Sequence, residues 1–259
     1  MTTSTASTAS TASTEANARR EAEWKVRSEL AAAYRLVALF GWDDLVFTHL
    51  SARVPGPEHH FLINPYGLLF HEITASSLVK VDRDGQVVES GGLGRVNPAG
   101  FTIHSAVHMG RDDACAVMHL HAPDGVAVSA HRDGLLPLSQ TAMLCLAHLS
   151  YHDYEGVALN LDERERLIRD LGDKSMMMLR NHGVLTAGKD VPETFTYLYF
   201  LMKACEIQVK AQSCGPVWMP SEQAVKTTAD QSQALGSAAA LTWPALIRLL
   251  DSKNPGYAV

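Results

Sequence analysis

The chain has 259 residues, 46% of them hydrophobic, with 22 Lys and Arg set against 28 Asp and Glu. That is enough apolar material to bury a sizeable core in one large domain or two small ones. The balance is mildly acidic, with no basic stripe and no apolar run as long as a membrane span, so neither nucleic acid nor a membrane is expected as a partner.

Residues 1–19 are a Ser/Thr/Ala tail with a repeating Thr-Ala-Ser and no apolar anchor, a composition that predicts disorder. The tail lacks a signal-peptide core, and positive charge is nearly absent before Arg19, which argues against a targeting segment. Order is expected from about Trp24. Val26, Leu30, Tyr34, Val37 and Leu39 fall near helical spacing and Gly41 stops the pattern, so a helix is predicted over 26–40. Residues 47–53 and 61–64 read as strands, the second closed by Pro65 and Gly67. Residues 79–82 and 86–88 form a hairpin with Asp84-Gly85 at its turn. Gly91, Gly92 and Gly94 make a loop that matches no dinucleotide fingerprint. A helix is predicted over 97–109, then a strand through His119 and His121, a short helix over 123–131, and a polar aromatic loop over 151–156. A charged helix follows over 162–171, then strands over 175–180 and 184–188. A long helix over 191–214 has Pro192 at its start and Gly215-Pro216 at its end, and a last short helix is predicted over 243–250. The alternation lacks a strict βαβ rhythm, which predicts a layered α/β domain with a mixed or largely antiparallel sheet. Cys115, Cys145, Cys205 and Cys214 show no CxxC or framework spacing and read as buried thiols of a reducing cytoplasm.

The chemistry is carried by histidines. Side chains alternate along a strand, so His119 and His121 share a face about 7 Å apart, and two imidazoles on one face can bite one metal ion. His182, delivered by an Asn-His-Gly turn, would complete three protein ligands and leave an open position, the pattern of a catalytic zinc site. The alternative is three structural histidines. His104 and His108 lie one turn apart on the predicted helix, and each also reads as a packing residue. His152 with Asp153 reads either as an acid/base pair or as an exposed His beside a loop-capping Asp. His49, His59, His60, His71, His131 and His148 carry no spacing signal, and Met176-Met177-Met178 reads as core strand.

Three ordered segments resemble the class II aldolase/adducin family: residues 97–106 (Asn-Pro-Ala-Gly-Phe-Thr-Ile-His-Ser-Ala), 117–121 (Val-Met-His-Leu-His) and 179–183 (Leu-Arg-Asn-His-Gly). Residues 151–156 and 204–209 resemble its adducin branch in particular. The resemblance covers about Trp24 to Gly215. It implies a three-layer α/β/α domain over 20–216 with a central mixed, largely antiparallel sheet, leaving 217–259 as a C-terminal extension. It also implies a homotetramer with sites between subunits, a small-molecule substrate, and Zn²⁺ held at His119, His121 and His182.

The departures from the enzyme pattern are equally specific. Where the family's aldolases carry Ser-Ser-Glu, with Glu as acid/base, this chain has Pro98, Ala99 and Gly100. Where they carry the phosphate loop Thr-Pro-Ser-Gly, it has Asn64-Pro65-Tyr66-Gly67. Two readings stay open: a zinc-dependent lyase for a small hydroxy-carbonyl compound that is no standard sugar phosphate, or a non-catalytic adducin-like binding or assembly module. The short stretch after the domain, with no long neck or Lys-rich tail, favours the enzyme. The general acid/base, the substrate and the metal used in the cell stay unassigned.

Overall fold

The computed structural model describes residues 5–91, 93–157 and 160–259, and their side chains apart from those of residues 5–13, 98 and 99. Residues 1–4 of the predicted tail, Gly92 of the glycine loop and the side chains of Pro98 and Ala99 lie outside the described residues.

Eight strands form one sheet: β1 (His49–Arg53), β2 (Phe61–Ile63), β3 (Val79–Val81), β4 (Val87–Glu89), β5 (Ala116–Leu120), β6 (Leu149–His152), β7 (Met176–Leu179) and β8 (Gly183–Gly188). Their order is β4-β3-β2-β1-β5-β8-β7-β6. Neighbours pair antiparallel, except that β6 runs parallel to β7. The helices are α1 (Thr5–Leu39), α2 (Pro98–Gly110), α3 (Pro123–Ala130), α4 (Gln140–Leu146), α5 (Glu163–Leu171), α6 (Val191–Ser213), α7 (Glu222–Gln231) and α8 (Ala239–Lys253).

The alternation along β5 builds the layers. Ala116, Met118 and Leu120 point into a core shared with Leu30 and Leu36 of α1, Val128 of α3, and Phe195 and Leu198 of α6. Val117 points the other way, against Ile103 and Val107 of α2 and Leu167 and Leu171 of α5. Both faces of the sheet are thus covered, and the architecture is the three-layer α/β/α arrangement with a mixed, largely antiparallel sheet. Met176, Met177 and Met178 are all buried, as expected of a core strand with helices on both sides.

Local chemistry explains the well-defined ends. The Asp190 side chain accepts from Glu193 N–H at the start of α6, where Pro192 fits the first turn. The β3–β4 hairpin closes at Asp84-Gly85, with Gly85 at φ +81°.

Several elements differ from expectation. Helix α1 extends back to Thr5, through residues whose composition predicts disorder. Residues 14–20 are exposed, and this stretch continues the anchored helix on Ala, Glu and Arg, with no Gly or Pro to stop it. Helices α4 and α7 and strand β6 are additions to the expected elements. Strand β6 takes Tyr151 and His152 out of the expected loop, because parallel pairing with β7 fixes it rather than any apolar alternation. The cysteines divide as well: Cys145 and Cys205 are buried, Cys115 is half-buried and Cys214 is exposed.

The C-terminal segment folds back on α1. Arg35 donates from Nη1 to Asn254 Oδ1 (2.9 Å) and the Pro255 carbonyl (2.6 Å), and from Nε to the Ile73 carbonyl (2.7 Å). Beyond it, Ala75 and Ser76 N–H groups donate to the Tyr257 and Val259 carbonyls at 2.7 and 2.9 Å. Among the described residues no helix is long and apolar enough to cross a membrane.

Candidate metal centre

His119 lies in β5 and His121 one residue past its end, on the α2 side of the sheet. The β7–β8 turn brings His182 to them. That turn depends on its two flanking residues. Asn181 takes the left-handed conformation (φ +58°), which Asn tolerates better than most side chains. A Cβ on Gly183 would sit 2.2 Å from the Leu120 carbonyl oxygen, so only glycine lets the turn approach β5.

The three imidazoles converge on one point. His119 Nε2 lies 3.0 Å from His121 Nε2, which lies 2.9 Å from His182 Nε2. All three ligand atoms fall within 4.8 Å of one another. Three neutral nitrogens can aim lone pairs at a shared cation, and nitrogens about 2.0–2.1 Å from a tetrahedral zinc lie roughly 3.3 Å apart. The spacing therefore fits a metal. The outer contacts fit as well. His119 Nδ1 lies 3.0 Å from the Val184 carbonyl, so Nδ1–H donates there and Nε2 is left as the acceptor. His121 Nδ1 lies 3.1 Å from Asp44 Oδ2, which fixes its tautomer in the same sense. Burial and the neighbouring imidazoles hold His119 well below the usual histidine range and bring His182 down to about 4, so both are neutral at pH 7. His119, His121 and His182 could thus hold one divalent ion.

The triad lines an open cleft of about 520 Å³ whose other walls include Asp44, Phe47, Thr48, His49, Tyr66, Gly100 and Tyr154. His49 pairs with His119 across β1 and β5 and lies on the same face. Thr48, just before it, is buried at φ +67°, and among the described residues its Oγ1 has no hydrogen-bond partner. A β-branched residue in this region costs about 1–3 kcal/mol, held in place by its surroundings.

The remaining candidates lie elsewhere. His104 and His108 are buried and share Ser51 Oγ, at 2.6 and 2.8 Å, and His108 also reaches the Ala114 carbonyl at 3.1 Å. His108 stacks on Phe61 at 4.6 Å, a packing role. His152 is buried and pairs with Asp170 Oδ2 at 2.7 Å, not with Asp153. Asp44, Thr48 and His49 gave no signal in the sequence, because only the pairing of β1 with β5 brings them to the triad.

A metal-compatible histidine triad on this three-layer fold defines a class II aldolase-like protein. The comparisons agree: the family described as Class II Aldolase and Adducin N-terminal domain matches residues 28–209, and the chain belongs to it. A protein of Caulobacter vibrioides, named as a candidate aldolase class 2 protein, is 57% identical over 241 residues, covering 92% of this chain and 93% of its own. Alpha-adducin of Rattus norvegicus is 44% identical over 249 residues, covering 90% of this chain but 33% of its own. Among solved structures, an aldolase II superfamily protein from Pseudomonas syringae superposes with a TM-score of 0.89 at 51% identity, covering 92% of this chain and 96% of its own. The L-fuculose 1-phosphate aldolase from Glaciozyma antarctica superposes at 0.78 with 30% identity, covering 90% and 92%.

Proposed function

We propose that this protein is a zinc-dependent lyase of the class II aldolase type, acting on a small hydroxy-carbonyl compound that carries no phosphate. The observation that supports this reading is the convergence of three imidazole Nε2 atoms at an open cleft. His119, His121 and His182 would hold the ion, and an all-imidazole donor set with an open position suits catalytic zinc. When bound, such an ion supplies a Lewis acid for the carbonyl and hydroxyl oxygens of a chelating compound.

The chain's own residues set the rest. Asp44 and the Val184 carbonyl orient two of the imidazoles. Phe47, Tyr66 and Tyr154 line the cleft with aromatic surface. Among its described lining residues there is no Lys or Arg to pair with a phosphate dianion. Residue 66 offers a bulky phenol where the family's aldolases place a serine, and residue 100 offers no carboxylate. We further propose a homotetramer in the cytoplasm, with the metal centre near a subunit boundary. In support, Phe47, Tyr154 and Val157 at the cleft mouth are 42%, 54% and 72% exposed in the single chain. Residues 1–19 are proposed as a tail, 20–216 as the aldolase-like domain and 217–259 as an extension packed on it.

The second reading, a non-catalytic assembly module, draws on Gly100 and on the identity with alpha-adducin. Metal analysis, followed by a screen of aldehydes, ketones and hydroxy acids, separates the two. L-fuculose 1-phosphate and ribulose 5-phosphate should be poor substrates. Turnover of either at ordinary enzyme rates, about 1–10³ s⁻¹, overturns the substrate class. Full metal content with no turnover of any compound favours the module.

A further inference from the structure

His49 explains the glycine at position 100. A Cβ on residue 100 would lie 1.9 Å from His49 Cδ2 and 2.5 Å from its Nε2, so the imidazole fills the room that a residue-100 side chain would need. A side chain at residue 100 therefore requires the His49 ring to leave its present position.

We infer that His49 takes over the place of the missing carboxylate, with its Nε2 accepting a hydrogen bond from a hydroxyl of the compound held at the histidine triad. This rests on the metal-centre reading above. The ring is 2% exposed and lies in the cleft wall. Its Nδ1 is 2.9 Å from Asn64 Oδ1, which also faces Tyr34 Oη at 2.9 Å. In this amide orientation, which leaves the buried Asn64 Nδ2 without a partner among the described residues, Nδ1 carries the proton and Nε2 keeps its lone pair. Among the described residues Nε2 has no hydrogen-bond partner, so the acceptor is free for a ligand. Directly opposite residues on antiparallel strands have Cβ atoms about 4.5–5.5 Å apart, which places the His49 side chain next to that of His119.

The ring is also held still. His104 packs edge-on against it, with centroids 6.2 Å apart, and Ser51 anchors His104 from behind. An Nε2 lone pair fixed in this way accepts from a hydroxyl donor and offers nothing to a phosphate. The chemical class that fits is an α-hydroxy carbonyl compound that chelates through two oxygens and presents a further hydroxyl to residue 49.

The test is calorimetric titration of zinc-loaded protein with two probes, glycolohydroxamate and acetohydroxamate. They share a chelating group and differ by one hydroxyl. Wild type should bind glycolohydroxamate about 3–10-fold more tightly, the worth of one neutral hydrogen bond. In His49→Ala the ratio of the two dissociation constants should fall to about 1, and in His49→Gln, which keeps a carbonyl acceptor, part of it should return. Gly100→Glu alone should lose folded protein by circular dichroism. The double variant His49→Ala/Gly100→Glu should fold and recover the preference. Equal binding of both probes by wild type, or an unchanged ratio in folded His49→Ala, overturns the inference. Failure of zinc-treated wild type to retain metal or bind either probe overturns the metal-centre reading instead, and this inference with it.

Discussion

At the scale of single residues, the triad stands or falls on lone pairs. Replacing His119 and His121 together with Ala removes two of three donors, and purified protein should then hold no stoichiometric metal by elemental analysis. Full metal content in that double variant would disprove the assignment. Asp44→Asn tests the outer contact. It leaves every imidazole in place but weakens the acceptor on His121 Nδ1, and metal affinity should fall about 10–100-fold in competition with a chromophoric chelator. An unchanged affinity would make Asp44 a bystander. These contacts also mark what the sequence could reveal. His119 and His121 were legible because strand alternation is a local rule, and His182 because Asn-His-Gly is a local turn. Asp44 precedes β1 and His49 opens it, more than sixty residues before the pair they adjoin. No spacing rule links them, since the link is the register of His49 on His119.

At the scale of elements, legibility followed the strength of local signals. Helix α6 announces its start with Asp190 and Pro192, and the β3–β4 hairpin announces its turn with Asp84-Gly85. Helix α4 has seven residues, too few for a period to show, and its one clear mark is Ser139 accepting from Ala142 N–H. Strand β6 reads as polar because its register comes from β7. Gly183 shows how tightly two elements can be coupled. Gly183→Ala drives a Cβ into the Leu120 carbonyl, backbone against backbone, with no flexible side chain to yield. The variant should lose roughly 1–3 kcal/mol of stability in urea titration and most of its metal. A loss under about 1 kcal/mol would show that the β7–β8 turn has room to shift. Arg35 couples α1 to the C-terminal segment in a gentler way. Arg35→Met leaves the Asn254, Pro255 and Ile73 groups without their donor, a loss of about 1–3 kcal/mol, and hydrogen exchange should rise at residues 75 and 76, where the segment pairs. Unchanged protection there would mean that the segment is held by other contacts.

At the scale of the molecule, buried neutral histidines make the fold sensitive to acid. His49 and His108 titrate at about 4 and about 3 in the native state, lowered chiefly by burial, against about 6.5 when unfolded. Below pH 6.5 the unfolded chain takes up protons that the native one refuses. The stability these residues contribute is therefore complete above about 6.5 and is lost as pH falls toward their native values, at up to about 1.4 kcal/mol per pH unit for each. Urea midpoints should fall steeply between pH 6.5 and 4 and flatten above 7. A flat profile through that window would mean that these rings are solvated. Assembly is tested directly: light scattering should give four times the 28.1 kDa chain mass, and a monomer at micromolar concentration would contradict the proposed tetramer.

The register of β1 on β5 has a consequence for how the protein reaches its native state. These strands are separated by some sixty residues of chain and must meet before β8 can close the far side of β5. Such distant pairings form slowly, because the loop must close before any contact rewards it. A slip of one residue would send His119 into the apolar layer beneath the sheet and Met118 into the cleft. The triad therefore exists only in correctly registered chains. Cobalt, offered during refolding as a coloured substitute for zinc, should develop its ligand-field absorption in step with the slowest refolding phase, making the metal centre a proofreader's mark for strand alignment.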